Sequence, residues 1–142
     1  MSISQKEAEI IEEFELFDEW TDKYQYIIEL GQKLPALDVA YKTDENKIKG
    51  CQSSVWLHAS TKDGLIYFNA DSDSTFVKGE IALLIRVLSG EKPEAIISAE
   101  LGFVDAIGLR QHMAVTRANG LAAMVKQMKL YAIAFQSKVN AE

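Results

Sequence analysis

From Lys49 to Ser60 the residues alternate, with Val55, Leu57 and Ala59 on one face and Ser54, Trp56 and His58 on the other. A period of two marks a strand with one buried face. Lys62-Asp63-Gly64 then supplies hairpin turn chemistry, and Leu65 to Ala70 returns as a second run of β-forming residues. On either side the period changes to that of helices. Ile10, Phe14 and Phe17 recur at helical spacing, and a second helix beginning near Asp18 carries Tyr24, Ile27, Ile28 and Gly31. Beyond the hairpin, Val77, Ile81, Leu84, Ile85 and Leu88 form one apolar face. Leu121, Met124, Val125, Met128, Ala132 and Phe135 form another, on a long helix from about Asn119 to Lys138. A lone hairpin among helices must bury its apolar face against them. The pattern predicts an α+β fold, a two-layer single domain over residues 1–142 with a small antiparallel sheet packed against helices.

Local signals set the expected boundaries. Ser4-Gln5-Lys6-Glu7 reads as a capping box, and Gly31 with Pro35 marks the end of the second helix, the glycine as a left-handed cap. Asp71-Ser72-Asp73-Ser74 closes the return strand and opens the third helix, where serine and aspartate are both good caps and the aspartate charge suits the positive end of the dipole. Gly90 stops that helix, Pro93 suits the first turn of the next, and Gly102 and Gly108 break the stretch from 94 to 112 into short helices.

Charge and cysteine usage exclude several classes of function. The net charge is -6 with no long basic cluster, which argues against a nucleic-acid partner. No apolar run reaches the roughly 18 residues of a membrane span, so no membrane role is expected, and Met1 to Glu13 shows no signal-peptide pattern. With one cysteine, no intramolecular disulfide can form, which fits a reducing compartment such as the cytoplasm. One cysteine also cannot supply the roughly four ligands of an iron–sulfur cluster. A zinc site from Cys51, His58 and His112 lacks tight ligand spacing, so no metal site is expected.

That cysteine, Cys51, follows Gly50 at the end of a mostly polar run from Thr43 to Lys49. It reads either as a small apolar residue under a turn or as a reactive thiol at a loop tip. In the second reading Lys47 and Lys49 favour the thiolate. Residue types alone leave the two open.

The wording around the thiol separates them. Gly50-Cys51-Gln52-Ser53 with Val55-Trp56 resembles the signature of the SufE family of sulfur-acceptor proteins, partners of cysteine desulfurases. Further blocks fit in the same order: Tyr24 to Gly31, Leu34-Pro35, Asp71-Ser72-Asp73, and Val77-Lys78-Gly79. The last comprises Leu109-Arg110-Gln111-His112, Arg117, Asn119-Gly120-Leu121 and Met124, so the resemblance covers roughly residues 20 to 128. Two stretches depart from the family pattern. Ser74-Thr75 stands where members often have alanine, and Ala114-Val115-Thr116 replaces a proline-containing turn.

The resemblance implies a SufE/IscU-like fold and a sulfurtransferase-type accessory protein in iron–sulfur cluster assembly. Cys51 would be its catalytic, persulfide-forming residue, and the protein would stimulate a SufS-like cysteine desulfurase and pass sulfur to a SufBCD-like scaffold. No cofactor is expected on this chain; pyridoxal phosphate belongs to the desulfurase. Gly50, Gln52, Ser53, Asp71, Asp73, His112 and Arg117 are the candidate loop or docking residues. Arg117 is a possible partner of Asp71 or Asp73, or of the sulfur anion, and Trp56 a possible cover for the loop. The competing reading is a small cysteine hydrolase using Cys51 with His112 and an aspartate or Asn119, which requires the imidazole within reach of the thiol.

Overall fold

The computed structural model describes residues 1–141, with side chains through Lys138. Its elements are α1 (Ile3–Phe14), α2 (Trp20–Gln32), β1 (Val55–Lys62), β2 (Leu65–Ser72), α3 (Thr75–Leu88), α4 (Pro93–Ser98), α5 (Phe103–Ala106) and α6 (Val115–Ala141). Single 3₁₀ turns lie at Val39–Tyr41, Asp44–Asn46 and Arg110–His112. The fold is the expected one, a two-stranded antiparallel sheet packed against helices.

The hairpin forms where the sequence places it. Asp63 and Gly64 both take positive φ, 54° and 79°, as a two-residue primed turn requires, and pair Val55 with Ser72 through to Lys62 with Leu65. Val55 and Leu57 of β1, and Ile66, Phe68 and Ala70 of β2, are buried. β1 starts at Val55 and not at Lys49. The Ile48 N–H donates to the Val55 carbonyl at 2.8 Å, and residues 49–54 bulge out as a closed loop through the positive φ of Gly50.

Helices α2 and α3 cross at two glycines. A Cβ on Gly79 would stand 2.1 Å from the Ile27 carbonyl oxygen, and one on Gly31 would stand 2.6 Å from the Gly79 nitrogen. Gly31 is therefore a crossing point within a helix that continues to Gln32, not the left-handed cap its position suggests. Ser2, not Ser4, opens α1: its Oγ accepts from the Gln5 N–H while its own N–H donates to Gln5 Oε1 at 2.8 Å. Both serines precede a Glu or Gln by three, and the box forms at the first of them. Neither aspartate caps α3. Ser74 does so, accepting from the Val77 N–H at 3.3 Å. α6 begins at Val115, a turn before the expected Asn119, so Arg117 and Asn119-Gly120 lie on its first turns. Leu121, Met124, Met128 and Ala132 of α6 are buried, as their spacing predicts.

Candidate functional site

The loop of residues 49–54 is pinned at its C-terminal end. The Ser54 N–H donates to Asp73 Oδ1 at 3.0 Å, the Asp73 N–H donates back to the Ser54 carbonyl at 3.2 Å, and Ser72 Oγ donates to that same carbonyl at 2.8 Å. The end of β2 thus holds the chain as it leaves the loop for β1. Gly50, at φ 94°, lies against α6, where an added Cβ would meet the Ala123 methyl at 3.4 Å. Between these anchors Cys51 turns inward. Its Sγ–H points at the Gly120 carbonyl at 3.5 Å, and the thiol is half-buried.

The thiol opens on a cavity of about 110 Å³ between the loop, α3 and the start of α6. Val77, Leu121 and Met124 give it apolar walls; Gln52, Ser53, Ser74, Thr116, Arg117 and Glu80 supply its polar groups. Burial pushes the Cys51 thiol pKa up, and Glu80 pushes it further. This reverses the expectation drawn from Lys47 and Lys49. Lys47 pairs with Trp56 at the sheet edge, and both lysines line a different depression with Asp44 and Lys126. At rest Cys51 is a sheltered thiol, not a thiolate at a loop tip.

Arg117 stands over the Phe76 ring at 5.3 Å, and Phe76 stacks on Tyr24 at 4.5 Å. Among the described residues Arg117 makes no ion pair, so the expected link to Asp71 or Asp73 is absent. Asp71 pairs instead with Lys42 at 2.7 Å and Lys78 at 3.2 Å and accepts the Ser72 N–H at 2.8 Å. Burial works against ionisation of Asp71, but the bonds from Lys42, Ser72 and Lys78 prevail and hold its carboxyl below the usual range.

His112 is elsewhere. Its ring stacks on Trp20 at 4.4 Å, its Nδ1 lies 2.9 Å from the Gly108 carbonyl, and it does not line the Cys51 cavity. His58 stacks on Tyr41 at 3.7 Å. With neither histidine in the cavity, the geometry does not supply the imidazole that the cysteine-hydrolase reading requires. The structure does not bring Cys51, His58 and His112 together, and no group of three or more ligand-type side chains occurs among the described residues. Trp56 sits opposite Asp71 in the sheet under the Lys42 ammonium, 5.8 Å from its ring, and does not cover the thiol.

Glu80 is the residue the sequence reading passed over. It directly follows Val77-Lys78-Gly79 and sits in the stripe with Phe76, Leu83 and Leu84, one helical turn from each. A carboxylate at that period is the signal that was present. Glu80 is 2 % exposed, and burial raises its pKa to about 8 against the opposing pull of Arg117.

A small α+β domain whose one thiol faces a cavity under a pinned loop is thus the class that fold and site define. The chain belongs to the SufE family, whose Fe-S metabolism associated domain matches residues 8–132. It is 40% identical over 126 residues to an uncharacterized SufE-like protein of Rhizobium meliloti, covering 85% of this chain and 90% of that one. A SufE-like protein of Synechocystis, also uncharacterized, is 36% identical over 129 residues, covering 91% and 81%. The solution structure of a hypothetical protein from Thermus thermophilus has the same fold, with a TM-score of 0.76 at 22% identity, over 93% of this chain and 96% of that one. Membership associates the chain with iron–sulfur metabolism. No helix among the described residues is long and apolar enough to cross a membrane.

Proposed function

We propose that this protein is a sulfur acceptor and carrier in iron–sulfur cluster assembly. It takes the terminal sulfur of a cysteine desulfurase persulfide onto Cys51, stimulates that desulfurase and passes the sulfur to a scaffold. The observation that carries this reading is the cavity of about 110 Å³ onto which the chain's single thiol opens. A water molecule needs about 10–15 Å³ of such space, and a sulfur atom is of comparable size. The terminal sulfur of a persulfide on Cys51 fits there, shielded from the reductants and oxidants that would strip an exposed one.

The transfer is thiol–disulfide exchange with one sulfur replaced. Cys51 sulfur attacks the outer sulfur of the donor persulfide, a new sulfur–sulfur bond forms, and the donor bond breaks. The donor cysteine leaves as thiolate and takes up the proton that Cys51 gives up. Thiol and persulfide exchange places without net oxidation or reduction, so the step asks no cofactor of this chain; pyridoxal phosphate works in the partner. Because the resting thiol is half-buried and its pKa raised, docking that turns Cys51 outward would speed its attack. Exposed Gln52, Asp73 and Arg117, around the loop and the cavity mouth, suit contact with a SufS-like desulfurase. A SufBCD-like scaffold is the proposed acceptor, in the reducing cytoplasm.

Cys51→Ser tests the reading. Serine is nearly isosteric and can keep the contact to Gly120, so the variant should fold normally. It should also fail to raise the rate at which the desulfurase turns over cysteine. Full stimulation by the serine variant would sink the transfer mechanism and leave only an allosteric one.

A further inference from the structure

A leucine would satisfy the pattern of α3 at position 80, yet the chain places a carboxyl there. Glu80 lines the cavity that receives Cys51, and its Oε2 is buried with no hydrogen-bond partner among the described residues. A buried acceptor left unpaired is destabilising, and such a group is an exception that asks for a reason. The other polar groups at that wall belong to Ser74, Thr116 and Arg117.

We propose that Glu80 and the sulfur carried on Cys51 share one proton inside this cavity, so that the pair holds the persulfide while it keeps that proton and drives it out toward an acceptor once the proton is lost. The inference rests on the carrier reading of Cys51. Two arrangements are equivalent in charge: a Glu80 carboxylic acid donating to a persulfide anion, and a Glu80 carboxylate accepting from a neutral persulfide. Each holds one proton and one negative charge, and passing between them breaks no bond but that to the proton. Loss of the proton to water leaves two anions in one small, poorly solvated space, which like-charge repulsion opposes. Outward movement of the loop relieves that repulsion.

The surroundings give this pair one facing cation. Arg117 from α6 is the cation facing Glu80. On β2, Asp71 is neutralised by Lys42 and Lys78, and on α1 Glu13 is paired with Arg86. α2 meets α3 through Ile27 and Gly31. Beside the free thiol, burial already raises Glu80 to about 8.

The test uses the full chain with Cys51 converted to persulfide by inorganic polysulfide, independently of any desulfurase. Iodoacetamide, a neutral reagent, then traps the terminal sulfur at a series of pH values, and mass spectrometry gives the rate. In the wild type the rate should rise about tenfold as the shared proton is lost, with an inflexion on the alkaline side of neutrality that follows from the raised Glu80 carboxyl. Glu80→Gln can donate but not ionise, and should stay slow throughout without the inflexion. Glu80→Leu can do neither, and should already be fast at pH 7. Matching profiles for wild type and Glu80→Gln overturn the proposal, and Glu80→Gln alone decides if the leucine variant does not fold. Matching profiles beside normal transfer from a desulfurase defeat this inference and spare the carrier reading. The expected inflexion without transfer from a desulfurase defeats the carrier reading instead. A Cys51 that takes no sulfur from polysulfide defeats both.

Discussion

Asp73 and Ser54 are joined by two reciprocal hydrogen bonds, the Ser54 N–H to Asp73 Oδ1 at 3.0 Å and the Asp73 N–H to the Ser54 carbonyl at 3.2 Å. The pair fastens the outgoing end of the Cys51 loop to the start of α3, so the position of the only thiol depends on a residue 22 positions later in the chain. That gives Asp73 a purpose other than the helix cap its place in the sequence suggests.

Asp73→Ala should loosen the loop without unfolding the domain. Losing the Ser54 bond costs about 1 kcal/mol, small beside the roughly 5–15 kcal/mol that holds a domain together. The iodoacetamide rate at Cys51 should rise severalfold, and Asp73→Asn, whose amide oxygen can still accept, should restore most of the wild-type rate. An alanine variant with unchanged reactivity would mean that the clamp does not govern the thiol.

Gly79→Ala sets helix propensity against packing. Alanine is better than glycine in a helix by about 1 kcal/mol. Here, however, its Cβ would lie 2.1 Å from the Ile27 carbonyl oxygen. Backbone on backbone cannot yield as a side-chain tip can, so α2 and α3 must move apart, at a cost of about 3 kcal/mol or more. Urea denaturation should show a large net loss of stability. A variant as stable as the wild type would contradict the close crossing.

Glu80 makes stability fall with rising pH. Its carboxyl titrates at 4.5 when unperturbed and at about 8 in the fold, so the folded state holds its proton where the unfolded chain has released it. The stabilisation from this group is complete below the unfolded value and is lost as pH rises through the folded one, by roughly 3–5 kcal/mol in all. Glu80→Gln escapes this loss. Urea midpoints should show its advantage over the wild type widening from about pH 5 to pH 8.5. A constant difference across that range would place the titration elsewhere.

The fold was legible wherever local chemistry decides it. Asp63-Gly64 demanded a tight turn, and the two periods on either side of it sorted strand from helix. Positions decided by tertiary contact were not. Gly31 looks like a helix stop until Gly79 is known to press on it. Asn119-Gly120 looks like a boundary until α6 is seen to run through it, with Gly120 packed beside the Cys51 sulfur. In the site, Cys51 stood out as the only thiol, and Arg117 does line its cavity. The lysines beside Cys51 in sequence misled, because Gly50 turns the chain and leaves them on another surface. His112 and Asp71 are explained by partners, Trp20 and Lys42, that no spacing reveals.

The most direct test of the carrier role is mass spectrometry of the intact protein after incubation with a cysteine desulfurase and cysteine. The account predicts one added sulfur, about 32 Da, located by peptide mapping on the segment that contains Cys51. The added mass should disappear when the iron–sulfur scaffold is supplied. An unmodified protein recovered from an active desulfurase, or an added sulfur that the scaffold never removes, would contradict it.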